Sequence, residues 1–256
     1  MSAVELERDG AILWARLRRP EAGNACSSEV MELLEQWTER AHDPGVRALI
    51  LTGSGATFCA GADLTEATRL LADPPALLAF LERGRALVQR IRRASVPTIA
   101  AVNGAAFAGG LELLLACDIA VAARSARIGD RHIRVGQVPG WGSSAMLPAA
   151  VGPSLARRLL LTGETWSADD ALRHGLVSEV VDDEALAECA RGVAESIARH
   201  DPAAVQRMLT LARGSSDGGD VAWAREWETL VAHVATQGPE GSDEMLSALR
   251  RRDQAD

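Results

Sequence analysis

Val102-Asn103-Gly104-Ala105-Ala106-Phe107-Ala108-Gly109-Gly110-Leu111-Glu112-Leu113-Leu114-Leu115 is the most informative stretch of this chain. A glycine pair followed by an apolar run marks a helix N-terminus, whose first amides lack intrahelical partners. Those amides and the helix dipole favour a negative charge at the helix start. Glu112 lies three residues beyond Gly109, so both can face one cavity. A carboxylate in so apolar a run costs free energy unless it is paired, and burial raises its pKa. That is the tuning a general acid–base requires, whereas an exposed helix edge would leave Glu112 an ordinary surface residue.

Working outward, Thr98-Ile99-Ala100-Ala101-Val102 reads as a strand entered from Pro97, and Ile119-Ala120-Val121-Ala122 as the next. Upstream lie the strand Ala48–Thr52 and, earlier, the strand Ala11–Leu17, which ends at Pro20. Apolar spacing predicts helices over Ser27–Ala41, capped by Ser27 or Ser28, and over Ala76–Arg93. This alternation argues for α/β architecture with largely parallel, buried strands. From about Ala187 onward the pattern is helical, punctuated by Pro202 and an expected loop at Gly214–Asp220. Trp223 and Trp227 share a helix face there, as a core stripe or as a subunit contact.

A second small-residue turn, Phe58-Cys59-Ala60-Gly61-Ala62-Asp63-Leu64, follows the second of the upstream strands. Small residues let the backbone approach a ligand closely and leave amides pointing outward. By itself it would read as an ordinary tight turn.

Composition narrows the function classes. At 256 residues, 47% hydrophobic and 24% charged, the chain can bury a substantial core. Its net charge of −8 and absence of lysine disfavour a nucleic-acid binder, which needs a basic face. No apolar stretch reaches the length of a membrane span, and Met1–Glu5 does not resemble a secretory signal, so a cytoplasmic protein is expected. The four scattered cysteines, Cys26, Cys59, Cys117 and Cys189, read as reduced, mostly buried thiols. His42, His174, His200 and His233 read as surface or structural, and Asp118 as a tie on a helix end.

The two glycine turns, in this order and about forty residues apart, resemble the crotonase family, also called the enoyl-CoA hydratase/isomerase family. The resemblance extends through the early LRRPEAGNA, the loop VGQVPGWGS, the segment LLLTGETWSADDALRHGLVSEVV and the C-terminal helices. It implies a crotonase-like spiral of strand–strand–helix repeats over residues 1–198, holding the acyl-CoA site. It also implies a C-terminal helical trimerisation region over 199–256, in a homotrimer or dimer of trimers. The thioester oxygen would lie in an oxyanion hole between the backbone N–H groups of Ala62 and Gly109. Such preorganised donors contribute about 3–4 kcal/mol each. Ala60, Gly61, Asp63, Leu64, Gly110, Pro139, Gly140 and Trp141 would line the substrate, with Trp141 beside the acyl group or, on the competing reading, packed in the core. No metal and no redox cofactor is implied.

The sequence departs from the family pattern at the second acid that hydratases use. Register against Val138-Pro139-Gly140 places His132 at that position, with Asp130 two residues earlier and pointing the other way if the segment is extended. A histidine there can hold a water or shuttle a proton, or stand as a pocket wall. Lysines the family often places near the early Arg-Pro motif and after the first turn are replaced by Glu21 and Thr65. Arg251 and Arg252 match a basic pair that would meet CoA phosphates, or stand as a solvated basic helix end. Weakened nucleotide contacts would suit a carrier-protein thioester as well as free CoA. The resemblance implies hydration of a 2-enoyl-CoA first. The alternatives are another reaction on the same enolate (isomerisation, decarboxylation, hydrolysis, carbon–carbon cleavage) or a non-catalytic binding protein on this fold.

Overall fold

The computed structural model describes residues 2–215 together with 227, 228, 231 and 232. His233, Trp223 and the pair Arg251–Arg252 lie outside the described residues. The chain opens with an antiparallel hairpin, β1 (Val4–Asp9) and β2 (Ile12–Leu17). Helix α1 (Ser28–Glu39) follows, with the Ser27 hydroxyl accepting the Val30 N–H as its cap.

Strand–strand–helix turns come next. Strands β3 (Ala48–Gly53) and β4 (Thr57–Cys59) lead into α2 (Leu64–Leu70) and α3 (Pro74–Arg92). Strands β5 (Thr98–Val102) and β6 (Ala105–Phe107) lead into α4 (Gly109–Ala116). Strands β7 (Ile119–Ala123) and β8 (Arg127–Gly129) lead into α5 (Ser143–Val151) and α6 (Pro153–Thr162). After them run β9 (Trp166–Ser167), α7 (Ala168–Arg173), β10 (Glu179–Val181), α8 (Leu186–Ala198) and α9 (Pro202–Ser215).

Each turn contributes its first strand to one sheet and its second to another. Among the described residues the large sheet has the order β1-β2-β3-β5-β7-β10, and the small sheet β4-β6-β8-β9. Beyond the hairpin the large sheet is parallel, as are β4, β6 and β8. The spiral implied by the resemblance is therefore present.

Strands β3 and β5 are buried on both faces, which explains their unbroken apolar runs. Leu49, Leu51, Ala100 and Val102 face the main core with α1, α3 and α4. Ile50, Ile99 and Ala101 face the opposite way, onto Leu186, Ala190 and Ala194 of α8. Asp118 ties this frame together. It accepts the backbone N–H and hydroxyl of buried Thr98 and takes the forked guanidinium of Arg213 at 2.7 Å.

One local expectation is corrected at the C-terminal side. Gly214 belongs to α9, which runs on to Ser215, where the sequence predicts the start of a loop. Trp227 packs against the main core, and the Arg85 guanidinium lies 5.0 Å from its ring centre. No helix among the described residues is long and apolar enough to cross a membrane.

Candidate active site

The spiral brings the two glycine turns into contact because β4 and β6 are neighbours in the small sheet. The first turn leaves β4 and is pinned by a parallel bridge between Cys26 and Ala62. That bridge uses the Cys26 N–H to Gly61 O at 2.8 Å and the Asp63 N–H to Cys26 O at 3.0 Å. In such a bridge the N–H of the residue between, Ala62, points to the other side. Ala60 N–H is taken by Gly23 O at 2.9 Å, so the amide the turn presents outward is that of Ala62.

The second turn leaves β6 and becomes α4. Ala108 adopts a φ of 49°, unusual for a residue with a side chain, and aims the following amides out of the β6 direction. The first intrahelical bond runs from Glu112 N–H to Ala108 O at 3.1 Å, which leaves Gly109 N–H among the free amides of the helix start. Gly61 has a φ of 116°, and a Cβ built on it would come within 3.1 Å of the Gly109 nitrogen. Glycine at 61 therefore keeps the approach to the Gly109 amide clear. At Gly110 a Cβ would overlap the Cys59 carbonyl oxygen, so the second glycine of the pair is needed for packing α4 on β4.

Glu112 is buried, at 1% exposure, and its carboxylate is held in place. Oε1 accepts the backbone N–H of Trp141 at 2.8 Å and of Ser143 at 3.1 Å. These donors come from the loop before α5 and from its first residue, so the loop is fastened directly to the carboxylate. Pro139 and Gly140 precede these donors in the same loop. The Trp141 indole fills the space between α3 and the start of α4. A Cβ on Gly84 or on Gly109 would overlap its ring, and its Nε1–H donates to Leu81 O at 2.9 Å. Gly84 stands in the middle of a 19-residue helix, where glycine costs about 1 kcal/mol relative to alanine; the indole seated on it supplies the reason.

Asp130 is placed differently from the extended-chain expectation. At Arg131 the chain takes a φ of 60° and enters a 3-10 turn over His132–Val135. The Asp130 side chain therefore folds back toward the site instead of pointing away. It is buried, at 1% exposure; Oδ1 accepts His132 N–H at 3.3 Å and contacts His132 Nδ1 at 3.0 Å, while Oδ2 accepts the Ser143 hydroxyl. Burial pushes the Asp130 carboxyl upward, but the charge and hydrogen bonds of His132, with that of Ser143, hold it below the usual carboxylate range. Glu112, Ser143, Asp130 and His132 thus form one chain of groups. Ser143 carries no signal in the sequence, because a serine after a glycine-rich loop reads as an ordinary helix start.

Leu64 is exposed at the start of α2, and Ala60 is exposed on the turn. The Asp63 carboxylate turns inward instead, pairing with Arg19 at 2.8 Å and capping α2 through the Glu66 N–H at 3.0 Å. Burial pushes Asp63 up, yet the Glu66 N–H and the Arg19 pair hold it below the ordinary value. Cys26 and Cys59 lie under the turn with Sγ atoms 3.7 Å apart, and their mutual hydrogen bond and burial push the Cys26 thiol well up. They act as small buried groups supporting the turn. The His174 ring lies against Trp166 with centroids 4.8 Å apart, and the His200 carbonyl accepts from Arg47.

This geometry sits in a chain whose relatives are identifiable. Residues 7–229 match the family model for enoyl-CoA hydratase/isomerase. The chain is 38% identical over 208 residues to an (E)-benzylidenesuccinyl-CoA hydratase of Thauera aromatica, covering 79% of each. It is 33% identical to a short-chain-enoyl-CoA hydratase of Clostridium acetobutylicum, covering 98% of this chain and 96% of that one. A solved enoyl-CoA hydratase/isomerase from Pseudoalteromonas atlantica superposes with a TM-score of 0.84 at 32% identity, over 98% and 97% of the two chains. The chain belongs to the enoyl-CoA hydratase/isomerase family.

Proposed function

We propose that the protein is a hydro-lyase that adds water to a 2-enoyl-CoA thioester and gives the 3-hydroxyacyl-CoA. The observation that carries this reading is the buried Glu112 carboxylate, fixed by two backbone N–H groups on the helix whose first amide belongs to Gly109. An acid–base group and an oxyanion donor are thereby locked in one rigid turn.

The thioester oxygen accepts from the Ala62 and Gly109 N–H groups. Water oxygen bonds to the β-carbon while Glu112 takes one of its protons. The electron pair of the double bond moves onto the thioester as an enolate, whose charge the two amides stabilise. The enolate then collapses, and its α-carbon takes the proton back from Glu112. One water supplies both the hydroxyl and the new hydrogen, so the balance closes without metal or redox cofactor. His132 holds the water for attack. Trp141 bounds the space beside Gly109 and so limits the acyl group.

The two relatives described above are both CoA hydratases by name, which supports this reaction over the other enolate chemistries. The CoA thioester is the substrate on this reading, with Arg251 and Arg252 meeting its phosphates and residues 199–256 forming a trimer or dimer of trimers. Incubation with a panel of acyl-CoAs of graded length, read by mass spectrometry, tests it. Enoyl-CoAs are expected to gain the mass of one water. Loss of carbon dioxide, release of free CoA, or an unchanged mass with a moved double bond would replace hydration with the corresponding reaction.

A further inference from the structure

Hydration by Glu112 and a water-holding His132 leaves unexplained why a second buried carboxylate, Asp130, stands behind the histidine. An acid at 1% exposure needs compensation, and here its contacts lead into the site. Oδ1 faces His132 Nδ1 at 3.0 Å and accepts the His132 backbone N–H at 3.3 Å. Oδ2 accepts the hydroxyl of Ser143, whose own N–H donates to Glu112. Held as a carboxylate, Asp130 has no proton to give, so its bond to Nδ1 requires the hydrogen on the imidazole. A neutral His132 so bonded carries its lone pair on Nε2.

We propose that Asp130 is a positioning residue that fixes the tautomer and ring orientation of His132, making Nε2 the acceptor for the attacking water. The site then pairs Glu112 with a His132–Asp130 dyad, and Ser143 sets the register between them through its N–H and its hydroxyl. The proton of the water that Glu112 does not take is donated to Nε2 as a hydrogen bond, and no further proton moves. Protonated His132 cannot accept that bond, so activity requires the neutral ring. Glu112 of α4 reaches the dyad through Ser143, Arg131 and Arg134 flank it on its own segment, and the Arg158–Glu164 pair lies on α6 and the turn after it, which pack against that segment. Arg131 lies 4.3 Å from the Phe107 ring centre, Arg134 donates to Gly163 O at 2.7 Å, and Arg158 pairs with Glu164 at 2.9 Å.

Asp130→Asn keeps an oxygen toward His132 but removes the negative charge that favours the imidazolium. With this variant the acid limb of the kcat/KM profile is expected to move down by about one pH unit or more, with kcat lowered about tenfold or more. In a His132→Gln background the same change should cost less than about twofold, since its route is gone. An unmoved acid limb, or losses that simply multiply, would overturn the assignment. Nitrogen NMR of the unsubstituted protein with labelled histidine keeps the proposal testable if Asp130→Asn does not fold. At a pH above its titration, His132 should carry its hydrogen on Nδ1; the Nε2–H tautomer would refute the dyad. The proposal rests on the hydration reading, and the two fail separately. The acyl-CoA panel can reject hydration while the NMR tautomer still reports on Asp130 and His132.

Discussion

Glu112→Gln is expected to lower kcat for enoyl-CoA hydration by about 10²–10⁴-fold, the range that a positioned general acid–base contributes. Glutamine keeps an oxygen where Oε1 accepts the N–H groups of Trp141 and Ser143 at 2.8 and 3.1 Å, so the loop before α5 stays fastened. It cannot accept a proton from water or return one to the α-carbon. The loss should therefore fall on kcat, with KM changed little, because the Ala62 and Gly109 amides proposed to hold the thioester are untouched. Steady-state kinetics with crotonyl-CoA, alongside a thermal melt of the variant, separates the chemical loss from unfolding. Turnover within a few-fold of the parent would remove Glu112 from the mechanism.

Gly110→Ala is expected to destabilise the protein by about 3 kcal/mol, at the upper end of the range for overpacking a close-packed interior. Helix propensity alone predicts the opposite sign, since alanine in a helix is favoured over glycine by about 1 kcal/mol. Sterics win here because the added Cβ would overlap the Cys59 carbonyl oxygen and come within 3.1 Å of the Cys59 Cβ. Backbone on one side and the rigid start of α4 on the other leave no flexible group to yield. Relief requires α4 to lift from β4, which separates the Gly109 amide from the Ala62 turn. For a chain of this size each kcal/mol moves Tm by about 2–4 °C, so a fall of roughly 6–12 °C is expected by thermal melting. The folded fraction should also lose kcat/KM by more than about tenfold on the proposed mechanism, because the Gly109 amide is then moved from the Ala62 turn. An unchanged Tm would mean that the glycine pair is not a packing requirement.

Much of the candidate site's framework is legible in the sequence because its signals are local. The glycine pair, the apolar run and the misplaced acid lie within one short segment, and the helix they predict starts at Gly109. Helices α1 and α3 are legible from periodicity, and β3 and β5 from apolar runs that reflect burial on both faces. Strand β1 escapes such a reading because its residues are largely polar, and its alternate exposure suits an edge. Strands β4, β6 and β8 have three residues each, too short for any period to show, so the repeat becomes visible only through sheet topology. The direction of Asp130 follows from an extended segment in the sequence reading, whereas a left-handed residue at Arg131 reverses the chain. No pattern marks an arginine for that conformation. Ser143 joins the site through a long-range contact with Asp130, which no linear spacing encodes.

The most direct test of the oxyanion grip is a crystal structure with a slowly turned-over acyl-CoA bound. The thioester oxygen should lie within hydrogen-bond distance of both the Ala62 and the Gly109 amide nitrogens, with the α-carbon facing Glu112 and the indole of Trp141 along the acyl group. A thioester oxygen turned away from either amide, or bound elsewhere on the chain, would contradict the grip on which the hydratase mechanism depends.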